Sequence, residues 1–292
     1  MMTLDMDHLS GWIGKTEVMH ETLSPELVGR FNATLGSDFS AATGDPAPLL
    51  IHLCLAQPAL PADQLGPDGH PRRGGFLPPV PLPRRMWAGG EMVFSAPLLI
   101  GAQVTRTSVI EDITQKQGST GGLCFVTVRH EISSDGTTAI SERQDIVYRD
   151  PPAQQAGSHS DPQTDQQTGQ SATPEPVRGG AHTRHVDPTS TMLFRYSAIT
   201  FNGHRIHYDA PYARDVEGYE GLVVHGPMQA TFMAHLAAEV KGSPPKRFAY
   251  RGKSPLFAGN PFTVNAAETD DGLSLWTAGT GGQVAMHSQA SW

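Results

Sequence analysis

Between Leu193 and Met228 the chain gathers side chains suited to proton chemistry beside a carbonyl. His204 and His207 stand three apart, with Asn202 before them and Asp209 after, and His225-Gly226 lies where an apolar helix is predicted to begin. Imidazole both accepts and donates a proton near neutral pH. A helix N-terminus presents unpaired N–H groups and a positive partial charge, and a Gly there lets a reacting oxygen come close. A base and an oxyanion site together are what moving a proton next to a carbonyl requires. Taken singly, each residue has a plainer use. A buried His commonly bonds a backbone carbonyl, Asp209 and Asn202 can order a loop, and His225 can shape the turn into the helix. His204, His207 and Asp209 do not make a metal motif, since helix-borne zinc sites space their histidines four apart with a Glu between. No metal or other cofactor is expected.

The elements that must position this loop are legible on both sides. Pro188–Ile199, started by Asp187, predicts a helix before it. Pro227–Lys241, ended by Gly242, predicts one after it with almost no polar face, hence buried. Strands are expected to follow at Phe248–Lys253, Phe262–Glu268, Leu273–Thr280 and Gln283–Trp292. The first part of the chain has the same order. Ser24 as N-cap, Pro25, the four-residue recurrence of Leu27, Phe31 and Leu35, and Gly36 predict a helix. Leu49–Ala56 predicts a second, short one. After a Pro/Gly-rich loop, strands are expected at Glu91–Phe94, Gln103–Ile113, Gly122–Ile132 and Ala139–Tyr148. Helices followed by runs of strands give an α+β class, and the repeated order implies a duplicated unit.

The intervening segment, PPAQQAGSHSDPQTDQQTGQSATPEPVRGG, carries almost no large apolar side chain and reads as a flexible linker. The organisation is therefore 1–150, a linker at 151–180, and 181–292. Within 292 residues, 38% hydrophobic content suffices for a core, while no apolar run reaches the length of a membrane span. A net charge of -8 argues against a broad nucleic-acid surface. Cys54 and Cys124, each inside an apolar run, fit a reducing cytoplasm better than a disulfide framework. The acidic N-terminus has no apolar signal core.

The loop resembles the active-site region of the MaoC-like, R-specific enoyl-CoA hydratases. Their motif, Y-x-x-S-G-D-x-N-P-L-H, is followed by a His-Gly pair at the central helix. His207 falls on the motif His, and His225-Gly226 falls on the pair. The wording LFRYSAITFNGHRIHYD and EGYEGLVVHGP is closer to the branch holding the hydroxyacyl-thioester dehydratases type 2 and the mesaconyl-C4-CoA and itaconyl-CoA hydratases. GWIGKTEVMHETLSPELVGRFNATL and LPRRMWAGGEMVFSAPL resemble that branch's N-terminal domain. The resemblance implies a double hot-dog fold: two antiparallel sheets, each wrapped around a central helix, with the second carrying the catalytic loop. It implies reversible hydration of an enoyl-CoA, within this branch a short branched dicarboxylic acyl-CoA. The alternatives are a 3-hydroxyacyl-thioester dehydratase of fatty-acid synthesis and a noncatalytic acyl-CoA-binding protein. The partner is thus a small acyl-CoA, with no nucleic acid or membrane, and the resemblance allows a homodimer of double hot dogs.

The motif's catalytic Asp falls on Asn202, and an amide is no general base. His207 is therefore expected to be the principal acid/base, Asn202 to orient water or substrate, and His204 or Asp209 to supply the missing partner. Gly226 N–H is expected to stabilise the thioester oxygen. Arg205 and His225 within the loop, Arg84 and Arg85 in the first half, and Arg251 and Lys253 in the second are the expected contacts to substrate and coenzyme A. His52 is expected to be a satisfied buried histidine.

Overall fold

The computed structural model describes residues 4–118, 121–150 and 179–292. In chain order these form α1 (Met6–Ser10), β1 (Thr16–Thr22), α2 (Pro25–Leu35), β2 (Arg84–Phe94), β3 (Gln103–Gly118), β4 (Gly121–Ser134) and β5 (Thr137–Arg149). Then come β6 (His182–Val186), α3 (Ser190–Ile199), α4 (Gly226–Lys241), β7 (Arg247–Gly252), β8 (Phe262–Thr269), β9 (Gly272–Gly279) and β10 (Val284–Ser291). The predicted linker lies outside the described residues except for Gly179 and Gly180.

Local chemistry explains the helices. The Ser24 side chain accepts from Leu27 N–H at 3.2 Å, Pro25 opens α2, and Gly36 ends it at φ 68°. α3 starts two residues later than predicted because Thr189, not Asp187, is the cap, its hydroxyl accepting from Met192 N–H. α4 is buried from Met228 through Ala237. Its polar members are paired, Gln229 accepting from the Thr277 hydroxyl at 2.7 Å, as burial of an amide demands.

The strands make one antiparallel sheet in the order β1-β3-β4-β5-β2-β7-β10-β9-β8-β6. β2 is the hinge of this order, pairing β5 on one side and β7 of the other half on the other. The double hot dog is thus two sheets fused edge to edge, and the β10-β9-β8 side wraps α4. The halves differ inside. Among its described residues the first has no long central helix: Leu49–Ala56 closes to a single 3-10 turn, Ile51–Cys54, with Leu50 and Ala56 both at positive φ. α2, this turn and loop side chains fill that space, so the main core runs unbroken from Phe31 and Ile51 to Met228 and Phe248. A smaller core around Leu9, Val80, Ile110 and Tyr148 lies under the far end of the first sheet. Cys54 and Cys124 are free and buried. No helix among the described residues is long and apolar enough to cross a membrane.

Candidate active site

The chain leaving α3 is turned sharply to make the histidine loop. Phe201 takes φ 48°, and Asn202 N–H closes onto Ser197 O at 2.8 Å. Asn202 Oδ1 then accepts the His204 N–H at 3.0 Å, an Asx turn that shapes the loop. The oxygen is therefore directed at its own backbone. A 3-10 turn, Arg205–His207, follows, and Val223 N–H bonds Ile206 O at 2.9 Å, laying the loop against the approach to α4.

Three imidazoles of this region meet. His207 stacks on His225 with ring centroids 3.6 Å apart and 18° between planes, and meets His204 edge-on at 5.5 Å. His207 Nδ1 lies 2.7 Å from the Val223 carbonyl and so donates its proton there, leaving Nε2 as a lone pair. His225 is fully buried, with Nε2 2.9 Å from Ser197 Oγ. It is the N-cap residue of α4 without a capping side chain, so the first N–H groups of that helix, Gly226 among them, lack intrahelical partners. A side chain at Gly226 would not fit, because a Cβ there would stand 2.9 Å from Trp87 Cε3. The indole of β2 thus roofs the helix N-terminus.

A fourth imidazole comes from the first half. His70, in the Pro/Gly-rich loop, packs against His204 at 4.2 Å between centroids. Its Nδ1 is 3.1 Å from Asp68 Oδ2, while Asp68 Oδ1 accepts the His70 N–H. The histidine loop holds this loop in place: Arg205 N–H bonds Asp68 O at 2.9 Å and Arg205 Nη1 bonds Pro67 O at 3.0 Å. At Gly69 (φ 85°) a Cβ would fall 1.9 Å from the Gly203 carbonyl oxygen. Sequence reasoning missed Asp68 and His70. Their only local signal is P-D-G-H inside a turn-rich stretch, and nothing along the chain says that this turn crosses to the other half.

The remaining candidates divide. Asp209 bonds Arg205 Nε and Nη2 and the Tyr212 N–H, so it orders the loop and is not a partner of His207. Arg205, its side chain 38% exposed, has its guanidinium engaged by Asp209, the Pro67 carbonyl and the Tyr212 ring. Arg84, 7% exposed, is engaged likewise, 3.4 Å from Glu217 and over Tyr219. Arg85 is half-buried and close enough to Asp68, His70 and His204 to depress the pKa of each. Arg251 and Lys253 are exposed at the end of β7, and His52 faces Glu142 at 3.4 Å. Among the described residues, Asp68, His70 and His204 could converge on a cation, their donor atoms lying within 4.8 Å of one another. The Asp68–His70 hydrogen bond already occupies one atom of each.

Burial governs the electrostatics. It pushes the His207 imidazole down to about 4, against the Val223 hydrogen bond, and pushes His204 and His225 down too. Burial and then Arg85 lower His70 to about 4, which Asp68 opposes. Burial would raise the Asp68 carboxyl, but His70 and Arg85 hold it below the ordinary range. His235 on α4, bonded to Leu49 O, is lowered to about 4 by burial. A His whose folded pKa lies below its unfolded value of about 6.5 stabilises the fold above that pH. The contribution is lost as pH falls toward 4, at about 1.4 kcal/mol per pH unit for each group. Urea unfolding should accordingly show stability level above pH 7 and falling steeply from pH 6.5 to 4.5. A flat profile there would mean these imidazoles are not buried neutral.

Comparison with known proteins gives three findings. Residues 50–258 match the family model described as hydroxyacyl-thioester dehydratase type 2. The mesaconyl-C(4)-CoA hydratase of Chloroflexus aurantiacus is 42% identical, over 94% of this chain and 94% of that protein. Among solved structures, the MaoC-like dehydratase of Phytophthora capsici superposes with a TM-score of 0.68 at 12% identity over 99% of both chains. A Mycobacterium tuberculosis protein with a double hotdog fold does so with 0.59 at 10%, over 96% of this chain and 95% of its own. The two structural likenesses, at so low an identity, speak for the fold.

Proposed function

The chain belongs to the hydroxyacyl-thioester dehydratase type 2 family, and from that premise we propose that it adds water reversibly across the double bond of an enoyl-CoA thioester. The observation that carries this reading is the stacked His207–His225 pair at the N-terminus of α4, whose first N–H groups have no side-chain cap. His207 Nε2 takes a proton from water as the oxygen bonds to Cβ. The π electrons move onto the thioester oxygen, where the Gly226 N–H and the helix end stabilise the enolate. The imidazolium returns its proton to Cα, so one water is added and the enzyme ends as it began. Dehydration of the 3-hydroxyacyl thioester is the same path reversed.

For the acyl group we take a short branched dicarboxylic chain, mesaconyl-C4 or itaconyl. Two observations support it: the relative's name, and the Arg85 cation beside the histidines, where a free carboxylate would be attracted. A long aliphatic chain would gain nothing from that charge. The test is turnover on a panel of enoyl-CoA thioesters, followed by absorbance of the conjugated double bond. Branched dicarboxylic substrates should give the highest kcat/KM, and addition of EDTA should leave it unchanged. Preference for long monocarboxylic chains would move the reading to fatty-acid dehydration, and absence of turnover on every member would refute catalysis.

A further inference from the structure

Asn202 leaves the site without the carboxylate that its position would be expected to provide, yet a carboxylate–imidazole pair arrives there from the other half of the chain. Asp68 accepts both the backbone N–H and the Nδ1–H of His70, which fixes the ring and its tautomer and leaves Nε2 as an acceptor. The ring lies against His204, which in turn meets His207. The Asp68 and His70 side chains are 19% and 21% exposed, sheltered but reachable.

The loop is built to deliver this pair and has no slack. Gly66 N–H bonds His70 O at 2.7 Å and Gly69 N–H bonds Gly66 O at 3.0 Å, closing a tight turn. The turn is clamped by Arg205 and pressed against Gly203 so closely that only glycine fits at 69. A turn held this way could be a plain inter-domain latch, but a latch does not need a carboxylate–imidazole pair whose ring packs on His204 of the histidine loop.

We propose that His70 is a catalytic residue of this site, holding the reacting water, and Asp68 its positioning residue, so that the catalytic machinery is shared between the two halves. Resting on the hydration reading, the assignment is specific. Water has two O–H bonds, and His207 takes the proton of one. His70 Nε2 accepts a hydrogen bond from the other and aims the oxygen at Cβ. That second proton stays on the oxygen and becomes the product hydroxyl's own, so His70 gains and loses nothing over the cycle. In dehydration His70 holds the departing hydroxyl. Asp68 acts through His70 by holding Nδ1–H, which is the function a carboxylate at 202 could not serve here, because the side chain at 202 is turned into its own loop.

The test uses the full-length protein and whichever enoyl-CoA the wild type hydrates. His70→Asn keeps a donor for Asp68 but has no Nε2. It should lower kcat about a hundredfold, as losing the orientation of a reacting atom does, with KM within threefold of wild type. His70→Ala should lose as much and recover part of it when free imidazole is added, which a structural role would not give. Asp68→Asn should lose about tenfold in kcat, and Asp68→Glu should recover most of it. Thermal melting is followed for every variant, and imidazole rescue of His70→Ala decides the matter if His70→Asn melts early. Variants at 70 with kcat within threefold of wild type, or a loss that imidazole does not relieve, overturn the inference and leave the hydratase reading standing. Wild-type turnover abolished by EDTA and restored by zinc overturns it in favour of a cation held by Asp68, His70 and His204. A wild type inactive on every enoyl-CoA overturns both readings together.

Discussion

His207→Ala lowers turnover at least a hundredfold while leaving a folded protein: this is the expected result of removing the one imidazole whose Nδ1 is tied to a backbone carbonyl beside the α4 N-terminus. The variant also leaves the Val223 carbonyl without its donor and opens a gap beside His225. A stability loss of about 1–3 kcal/mol is therefore expected, and activity should be read well below the midpoint of unfolding. His207→Gln is the companion, filling the space without a titratable ring. It should regain stability but not turnover. His204→Ala separates positioning from chemistry: a mild loss makes His204 a packing neighbour that steadies the His70 and His207 rings, and a loss equal to that of His207 makes the rings one unit. Near-normal turnover in folded His207→Ala would remove His207 from the mechanism.

What could be read along the chain was what is written locally. The capping at Ser24, the apolar α4 and the His225-Gly226 junction depend on neighbours a few residues away, and each stands as its chemistry predicts. The β-rich runs were legible too, but their ends were not. β2 begins at Arg84, seven residues before the predicted Glu91, because a buried Arg84 beside Glu217 and a β7 neighbour let charged and glycine-rich residues join a central strand. β1 was missed because Thr16–Thr22 is a mostly exposed edge strand, with polar residues at nearly every second place. The short first-half helix became a 3-10 turn because α2 and loop side chains fill the space a long helix would have taken. The site was half legible for the same reason. His204, His207 and Gly226 lie within one segment, whereas Asp68 and His70 are more than a hundred residues away. Folding alone makes them neighbours of the loop, through the contact of Gly69 with Gly203, the Arg205 hydrogen bonds to Pro67 and Asp68, and the packing of His70 on His204. Arg84 and Arg205 read as free charges because their partners, Glu217 and the Pro67 carbonyl with Asp209, are matters of folding.

Expressed alone, residues 181–292 should be inactive, and either aggregated or self-paired, although they contain the whole histidine loop and α4. Three losses combine. The β7 edge would be bare, since Arg247–Arg251 pairs with Gly89–Val93 of β2, and an open central edge invites pairing with another chain. The buried Tyr250 would lose the Trp87 ring stacked 4.0 Å from it and the Glu142 carboxylate near its hydroxyl. The α3–α4 flank would lose α2 and the Leu49 carbonyl that His235 bonds, exposing part of a core that is continuous across both halves. The site would suffer separately, because Trp87, Asp68 and His70 all go with the first half. Self-pairing could cover β7 and the flank but could supply none of those three residues, so a folded dimer of this fragment should still lack turnover. Mixing it with residues 1–150 should restore activity in proportion to the complex formed, read by size-exclusion chromatography with light scattering alongside the enoyl-CoA assay. Full turnover by a monomeric 181–292 would mean that the second half holds a complete site. The shared machinery and the structural part given to the β2–β7 seam would then both be wrong.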